Sequence, residues 1–153
     1  MRLLVAALLS TVLTACATQP SGPSASNCHQ ATHQEVSGLF DTWNAALQTR
    51  QPKAVVKLYA PDSILLPTMS NTPRLTSAQK EDYFQHFMAK NPSGKIDQRY
   101  IAIECNVAVD SGLYTFSFND GTSVPARYTY TYHWDGDQWL ITSHHSSQMP
   151  EPL

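Results

Sequence analysis

Hydrophobic positions along this chain follow two different periods, and the change comes near Gly94. Val36, Leu39, Phe40, Trp43 and Leu47 recur at helical spacing and make one apolar stripe. Thr32-His33-Gln34-Glu35, just ahead of them, has the spacing of a capping box. Pro52 disfavours helical geometry in the residue before it, so the first helix ends near Gln51. The same proline suits the first turn of a short second helix through Val55, Val56 and Leu58. Ala60-Pro61-Asp62 breaks the pattern, Ser63-Ile64-Leu65-Leu66 reads as a short strand, and residues 67–73 read as a polar loop. Thr76-Ser77-Ala78-Gln79 offers another capping box, before a third helix whose buried face is Tyr83, Phe84, Phe87 and Met88. Asn91-Pro92-Ser93-Gly94 stops it.

Beyond Gly94 the period is two. Ile101, Ile103, Cys105, Val107 and Val109 alternate with small or polar residues, and Asp110-Ser111-Gly112 is the predicted turn. Tyr114, Phe116 and Phe118 form the next set, closed by Asn119-Asp120-Gly121. Ala126, Tyr128, Tyr130, Tyr132 and Trp134 follow, then Asp135-Gly136, then Trp139, Ile141, Ser143 and His145. Alternating runs separated by turn residues predict an antiparallel meander. Helices first and strands afterwards make the fold class α+β, with the helices on one sheet face.

Composition narrows the partners. The chain has 153 residues, a hydrophobic fraction of 42% and a formal charge of −2, which suits one ordinary globular domain. There is no excess of Lys or Arg to attract a polyanion, so no nucleic-acid partner is expected.

The first residues have another purpose. Arg2 is followed by an apolar run from Leu3 to Leu13, too short to anchor a bilayer as a span, and then by Leu13-Thr14-Ala15-Cys16. That ending resembles the lipobox of bacterial lipoproteins, which implies a signal peptide over residues 1–16 and diacylation of Cys16. Two acyl chains on one residue give stable anchoring. Residues 17–29, with Pro20, Gly22, Pro23 and several serines, read as a flexible tether to a domain over 30–150. With no Asp after Cys16, the expected location is the periplasmic face of the outer membrane, if the host is Gram-negative. Once Cys16 is lipidated, Cys28 and Cys105 remain as an even pair in an oxidising compartment, a disulfide if their Cα atoms come close enough.

Three helices, a short strand and a long meander is also the order of the nuclear-transport-factor-like superfamily. The segments Phe40-Asp41-Thr42-Trp43-Asn44-Ala45-Ala46-Leu47 and Leu58-Tyr59-Ala60-Pro61-Asp62-Ser63 resemble its first two helices. The ending Trp139-Leu140-Ile141-Thr142-Ser143-His144-His145-Ser146-Ser147 resembles its last strand. That His-rich ending is similar to the association domain of calcium/calmodulin-dependent protein kinase II, and to stand-alone bacterial relatives of the SnoaL-like and SgcJ/EcaC groups. The resemblance spans about residues 30 to 150. It implies a cone-like fold, three N-terminal helices on a strongly curved antiparallel meander sheet, with a pocket inside and self-association through the sheet's outer face. It implies no kinase activity, and the fold alone does not choose between enzyme and binding module.

On that architecture Trp43, Tyr83, Arg127 and His145 are the candidate ligand-binding residues. His144 and His145 point to opposite faces of a regular strand, and His145 shares parity with Trp139 and Ile141, so His145 is the expected interior one. There it is either a weak candidate for general base or a hydrogen-bonded structural histidine. Arg127 either forks onto a ligand carboxylate inside the cone or pairs with Glu104 or solvent outside it. The ladder Tyr128, Tyr130 and Tyr132 suits core, interface or cavity lining. Asp41 and Asp62 are poor base candidates. His29 and His33 are spaced for a metal but lack a third ligand, so neither metal nor cofactor is expected. The expected function is a membrane-tethered, non-catalytic, oligomerising module for a small anionic or apolar ligand. The alternative is a small isomerase, dehydratase or oxidoreductase acting on an apolar carbonyl or hydroxyl compound.

Overall fold

The structure, a computed structural model, describes residues 28–68 and 70–151. The signal peptide, Cys16 and the tether up to residue 27 lie outside the described residues. The elements are α1 (His33–Gln48), α2 (Pro52–Val56), β1 (Tyr59–Leu66), α3 (Ser77–Met88), β2 (Ser93–Glu104), β3 (Val107–Ser117), β4 (Ser123–Trp134) and β5 (Trp139–Gln148). This is the expected α+β order, with helices packed on one curved, unclosed sheet.

Both helix starts form as their sequences predict, with one difference. Thr76 and Gln79 complete a reciprocal capping box on α3. On α1 only half of the box forms: Thr32 Oγ1 accepts from the Glu35 backbone N–H at 3.1 Å. The Glu35 carboxylate is drawn off instead to the Trp139 indole N–H at 2.9 Å and to His29 at 2.6 Å. Those two hydrogen bonds, the one to His29 foremost, hold its pKa below the usual carboxylate value. The stripe of Val36, Phe40, Trp43 and Leu47 is buried against the sheet.

Two features of the sheet depart from the sequence reading. The strand order is β1-β5-β4-β3-β2, with β2 to β5 antiparallel but β1 lying parallel to β5, so the sheet is mixed rather than a pure meander. β1 begins at Tyr59, earlier than Ser63, because a register shift between Tyr59 and Ile64 absorbs Ala60-Pro61-Asp62 without ending the strand. Pro61 is tolerated because β1 is an edge.

The second departure concerns the first hairpin. The turn falls at Cys105-Asn106, where Asn106 has φ 59°, and not at Asp110-Ser111-Gly112. Gly112 lies within β3, where a Cβ would meet the Gln98 carbonyl oxygen at 2.0 Å. Asp97 is the extra residue of a bulge in β2 beside that point, across from Leu113 and Tyr114, and a bulge bends the strand that carries it. Glycine is present here for close approach, not for a turn. As a result Cys105 sits in a hairpin turn rather than a central strand, and its sulfur lies at bonding distance from that of Cys28, with Cα atoms 4.9 Å apart.

α1 packs directly on β2 and β3, while α3 packs mainly on α2 and meets the sheet through Phe87, 5.4 Å from Phe116 between ring centroids. Lys80 ties α3 to the chain before it: its buried Nζ donates to the Ser63 carbonyl at 2.7 Å and the Leu75 carbonyl at 3.0 Å. Burial pulls its pKa down.

Candidate functional site

The gap beneath α3 is a cavity of about 490 Å³. Its walls are mainly apolar and aromatic: Trp43 from α1, Tyr83, Phe84 and Phe87 from α3, and Phe116 and Ala126 from the sheet. The exposed His86, Lys90, Asp120 and Gln148 lie around its mouth. Four buried or half-buried polar side chains line it inside, namely Thr68, Tyr114, His144 and Ser146. Apolar walls with a few convergent polar groups are the usual make-up of a small-molecule site.

Those polar groups are organised in two chains. The Trp43 indole N–H donates to the Tyr59 hydroxyl at 3.1 Å, and that hydroxyl lies 2.8 Å from His144 Nδ1. The His144 ring stacks on Tyr130 at 4.1 Å between centroids and meets Trp43 edge-on at 5.3 Å. Burial, and secondarily the neighbouring His145, pushes the His144 pKa down to about 3, so the imidazole is neutral at neutral pH. In the second chain Tyr114 donates to Ser146 Oγ at 2.5 Å, and Ser146 Oγ bonds Thr68 Oγ1.

The structure brings Trp43 and Tyr83 to the cavity wall, and burial raises the Tyr83 phenol to about 12. It puts the other two candidates elsewhere. His145 is exposed and His144 is the interior residue, which reverses the sequence reading. Ile141 pairs with Tyr132 and Ser143 with Thr131, which leaves Thr142 as an extra residue, and this bulge inverts the alternation for the rest of β5. Trp139, Ile141, His144 and Ser146 therefore share the inner face. Arg127 lies on the outer face, opposite in parity to Ala126 and Tyr128, and its Nε donates to Ser147 Oγ at 3.2 Å. It reaches neither the cavity nor a carboxylate of Glu104.

A second buried polar group sits under α1 instead of α3. Asp110 is fully buried, accepts from Tyr128 O–H at 2.8 Å and from Arg99 Nε at 3.2 Å, and its second oxygen lies 3.2 Å from the same Nε. Burial raises the Asp110 pKa in spite of the Arg99 charge. Sequence reasoning missed this pair because it read Asp110 as a turn residue. The available signal was parity: within one strand Asp110 shares its face with Ala108. Tyr59 was missed as well, since nothing local links it to a histidine 85 positions away. Asp41 and Asp62 are exposed. His29 stacks on Trp134 at 3.8 Å and bonds Glu35, and among the described residues no group of three His, Cys, Asp or Glu side chains is placed to hold a metal.

Comparisons with known proteins agree with this architecture. Residues 32–150 match the family model described as the calcium/calmodulin dependent protein kinase II association domain. A solved candidate association domain of that family from Xanthomonas campestris is 44% identical, with a TM-score of 0.77, covering 88% of this chain and 97% of that one. An NTF2-like protein of unknown function from Pseudomonas putida is 18% identical, with a TM-score of 0.68, over 78% of this chain and 88% of the other. A candidate dehydratase of the NTF2-like family from Streptomyces avermitilis is 11% identical, with a TM-score of 0.69, over 77% and 96%; these two share the fold. Among curated proteins no sequence matches the chain.

Proposed function

Since this chain belongs to the calcium/calmodulin dependent protein kinase II association domain family, we propose that it is a self-associating module, tethered to the cell envelope, that holds a small apolar molecule without transforming it. The observation that carries the binding role is the cavity of about 490 Å³, apolar on its walls and polar at a few inner points. Self-association follows from the family's description as an association domain, with the outer sheet face as the expected contact. Tethering follows from the lipobox-like ending at Cys16. In an oxidising envelope Cys28 and Cys105 are bonded, and closing a separation of 77 residues contributes about 4 kcal/mol in the chain-entropy model.

One observation favours a second reading, a proton-transfer enzyme: a buried His144 linked to Tyr59 inside an apolar cavity. A base at neutral pH needs a pKa near that pH. A histidine held at about 3 is too weak an acceptor for that work. Binding is therefore the better account.

Native mass spectrometry of the chain, expressed for export with Cys16 intact and again as Cys16→Ser, tests the proposal. The expected result is a dimer or larger assembly, a copurified small-molecule adduct, and the loss of two hydrogens per chain that a disulfide brings. Membrane association is expected for the Cys16 form alone. An empty monomer found in the soluble fraction in both forms contradicts the proposal.

A further inference from the structure

We propose that the free edge of β2 pairs, over residues 98–104, with the same edge of a second copy of this chain, antiparallel and about a two-fold axis at Ile101. This rests on the reading that the chain self-associates, and it adds a contact distinct from the outer sheet face.

β2 is the last strand of the sheet, with no strand beyond it among the described residues, and its two halves are finished differently. An antiparallel ladder alternates residues that bond the neighbouring strand with residues whose N–H and C=O point away from it. Glu104 and Val107 close a hairpin with the two-residue turn Cys105-Asn106, so they form a bonded pair. Counting back from that pair, Arg99, Ile101 and Ile103 turn their backbone groups outward. On the far side of the Asp97 bulge Gly94 also turns outward, and there α1 covers the edge. Its Asn44 side chain donates to the Gly94 carbonyl and accepts from the Gly94 N–H, both at 2.9 Å. The bulge and the Lys95–Asp97 ion pair further protect that half. From Tyr100 to Ile103 there is no charge, proline or bulge. Tyr100 is 64% exposed, and Ala102 is exposed beside it. An unguarded strand edge of that kind is a template for another strand.

The edge is complementary to itself. With Ile101 opposite its own copy, Arg99 meets Ile103 of the second copy, and outward-turned groups bond outward-turned groups. On the outer face Tyr100 then lies across from Ala102 of the second copy, a large ring over a small side chain at the closer spacing of a non-bonded pair. Gln98 lies across from Glu104 of the second copy, so no charge directly faces a like charge. The stretch before Cys28, which is held beside β2 through Cys105, is the other chain at hand, but Pro20, Gly22 and Pro23 make it a poor strand. A strand pair this short is smaller than a stable interface. It therefore works alongside the outer-face contact rather than replacing it.

The test uses the full chain carrying Cys16→Ser at a high and a low concentration, with assembly measured by sedimentation and amide hydrogen exchange followed residue by residue. The Ile101 and Ile103 amides should exchange about ten-fold more slowly in the assembly than in the dilute monomer. Mild oxidation of Tyr100→Cys co-expressed with Ala102→Cys should give a cross-linked dimer, about ten-fold more than either variant alone. In this register each of these positions lies diagonal to its own copy, too far away to bond. An assembly whose edge amides exchange as fast as the monomer's overturns edge pairing and leaves self-association standing. Protection that persists in the monomer places a segment of the same chain on the edge, and overturns it as well. An assembly that holds at both concentrations is judged by the cross-link, and equal yields from paired and single variants overturn the register. A monomer at every concentration overturns self-association and this inference together.

Discussion

The concave face of the sheet is finished differently at its two ends. Under α1 it is filled: Phe40 packs against Tyr114, Tyr128 and Tyr130 at centroid distances of 6.2–6.4 Å, and the buried Asp110 is bonded to Tyr128 and Arg99. Under α3 the same face borders a hollow, because that helix rests mainly on α2 and meets the sheet through Phe87 against Phe116, leaving the cavity between them. Burial works against the charged form at both ends, lowering the pKa of His144 at the hollow one and raising that of Asp110 at the filled one. A shared sheet face therefore supports two tasks. The filled end holds the fold together, and the hollow end is free to recognise a molecule.

Breaking the filled end should have the largest effect. Asp110→Ala leaves the Arg99 guanidinium and the Tyr128 hydroxyl without their acceptor, and loss of one partner of a buried pair costs about 3–5 kcal/mol. Urea unfolding measures it, and a loss below about 1 kcal/mol would show that the pair is not structural.

Acid separates the ends by sign. The folded His144 pKa lies near 3 against an ordinary 6.5, so below pH 6.5 the unfolded chain takes up a proton that the folded chain refuses. Its contribution is complete above pH 6.5 and is lost as pH falls toward 3. About 2 kcal/mol should go between pH 6.5 and pH ~5. Asp110 acts in the opposite sense: its folded pKa is raised, so its protonated form is favoured in the fold and stability falls as pH rises from 3.8 through the raised value. Unfolding measured across pH in wild type and His144→Phe should show the slope between 6.5 and 5 in the wild type alone.

The smallest effect sharpens the contrast most. Ala108 and Ala126 are both buried on the inner face, Ala108 in the filled end and Ala126 on the cavity wall. Ala108→Val should overpack and cost about 1 kcal/mol. Ala126→Val should be close to neutral for thermal stability and should weaken binding of an apolar probe in the cavity, since its added methyls take up cavity space. Equal costs at both positions would mean that the cavity closes in solution.

What could be read in the chain, and what could not, divides along the range of the forces involved. Local pattern located α1, α2 and α3, the Asn119-Asp120-Gly121 and Asp135-Gly136 turns, and the α+β class, because capping, proline geometry and alternation act over a few residues. The family resemblance rested on the same local segments. Alternation failed where a bulge inserted one residue. Thr142 exchanged His145 for His144 at the inner face, and separately the hairpin turn at Cys105-Asn106 left the apparent loop Asp110-Ser111-Gly112 inside β3. A period of two has no memory across such an insertion, so every later assignment inverts.

The sequence by itself therefore determined the three helices, the order of helices before the long strands and the α+β class. Tertiary structure alone decided the parity of β5, the parallel seat of β1 that brings Tyr59 to His144, and the hollow under α3. Each of these depends on partners far apart in the chain, where register and helix stand-off are set by packing and not by neighbours in sequence.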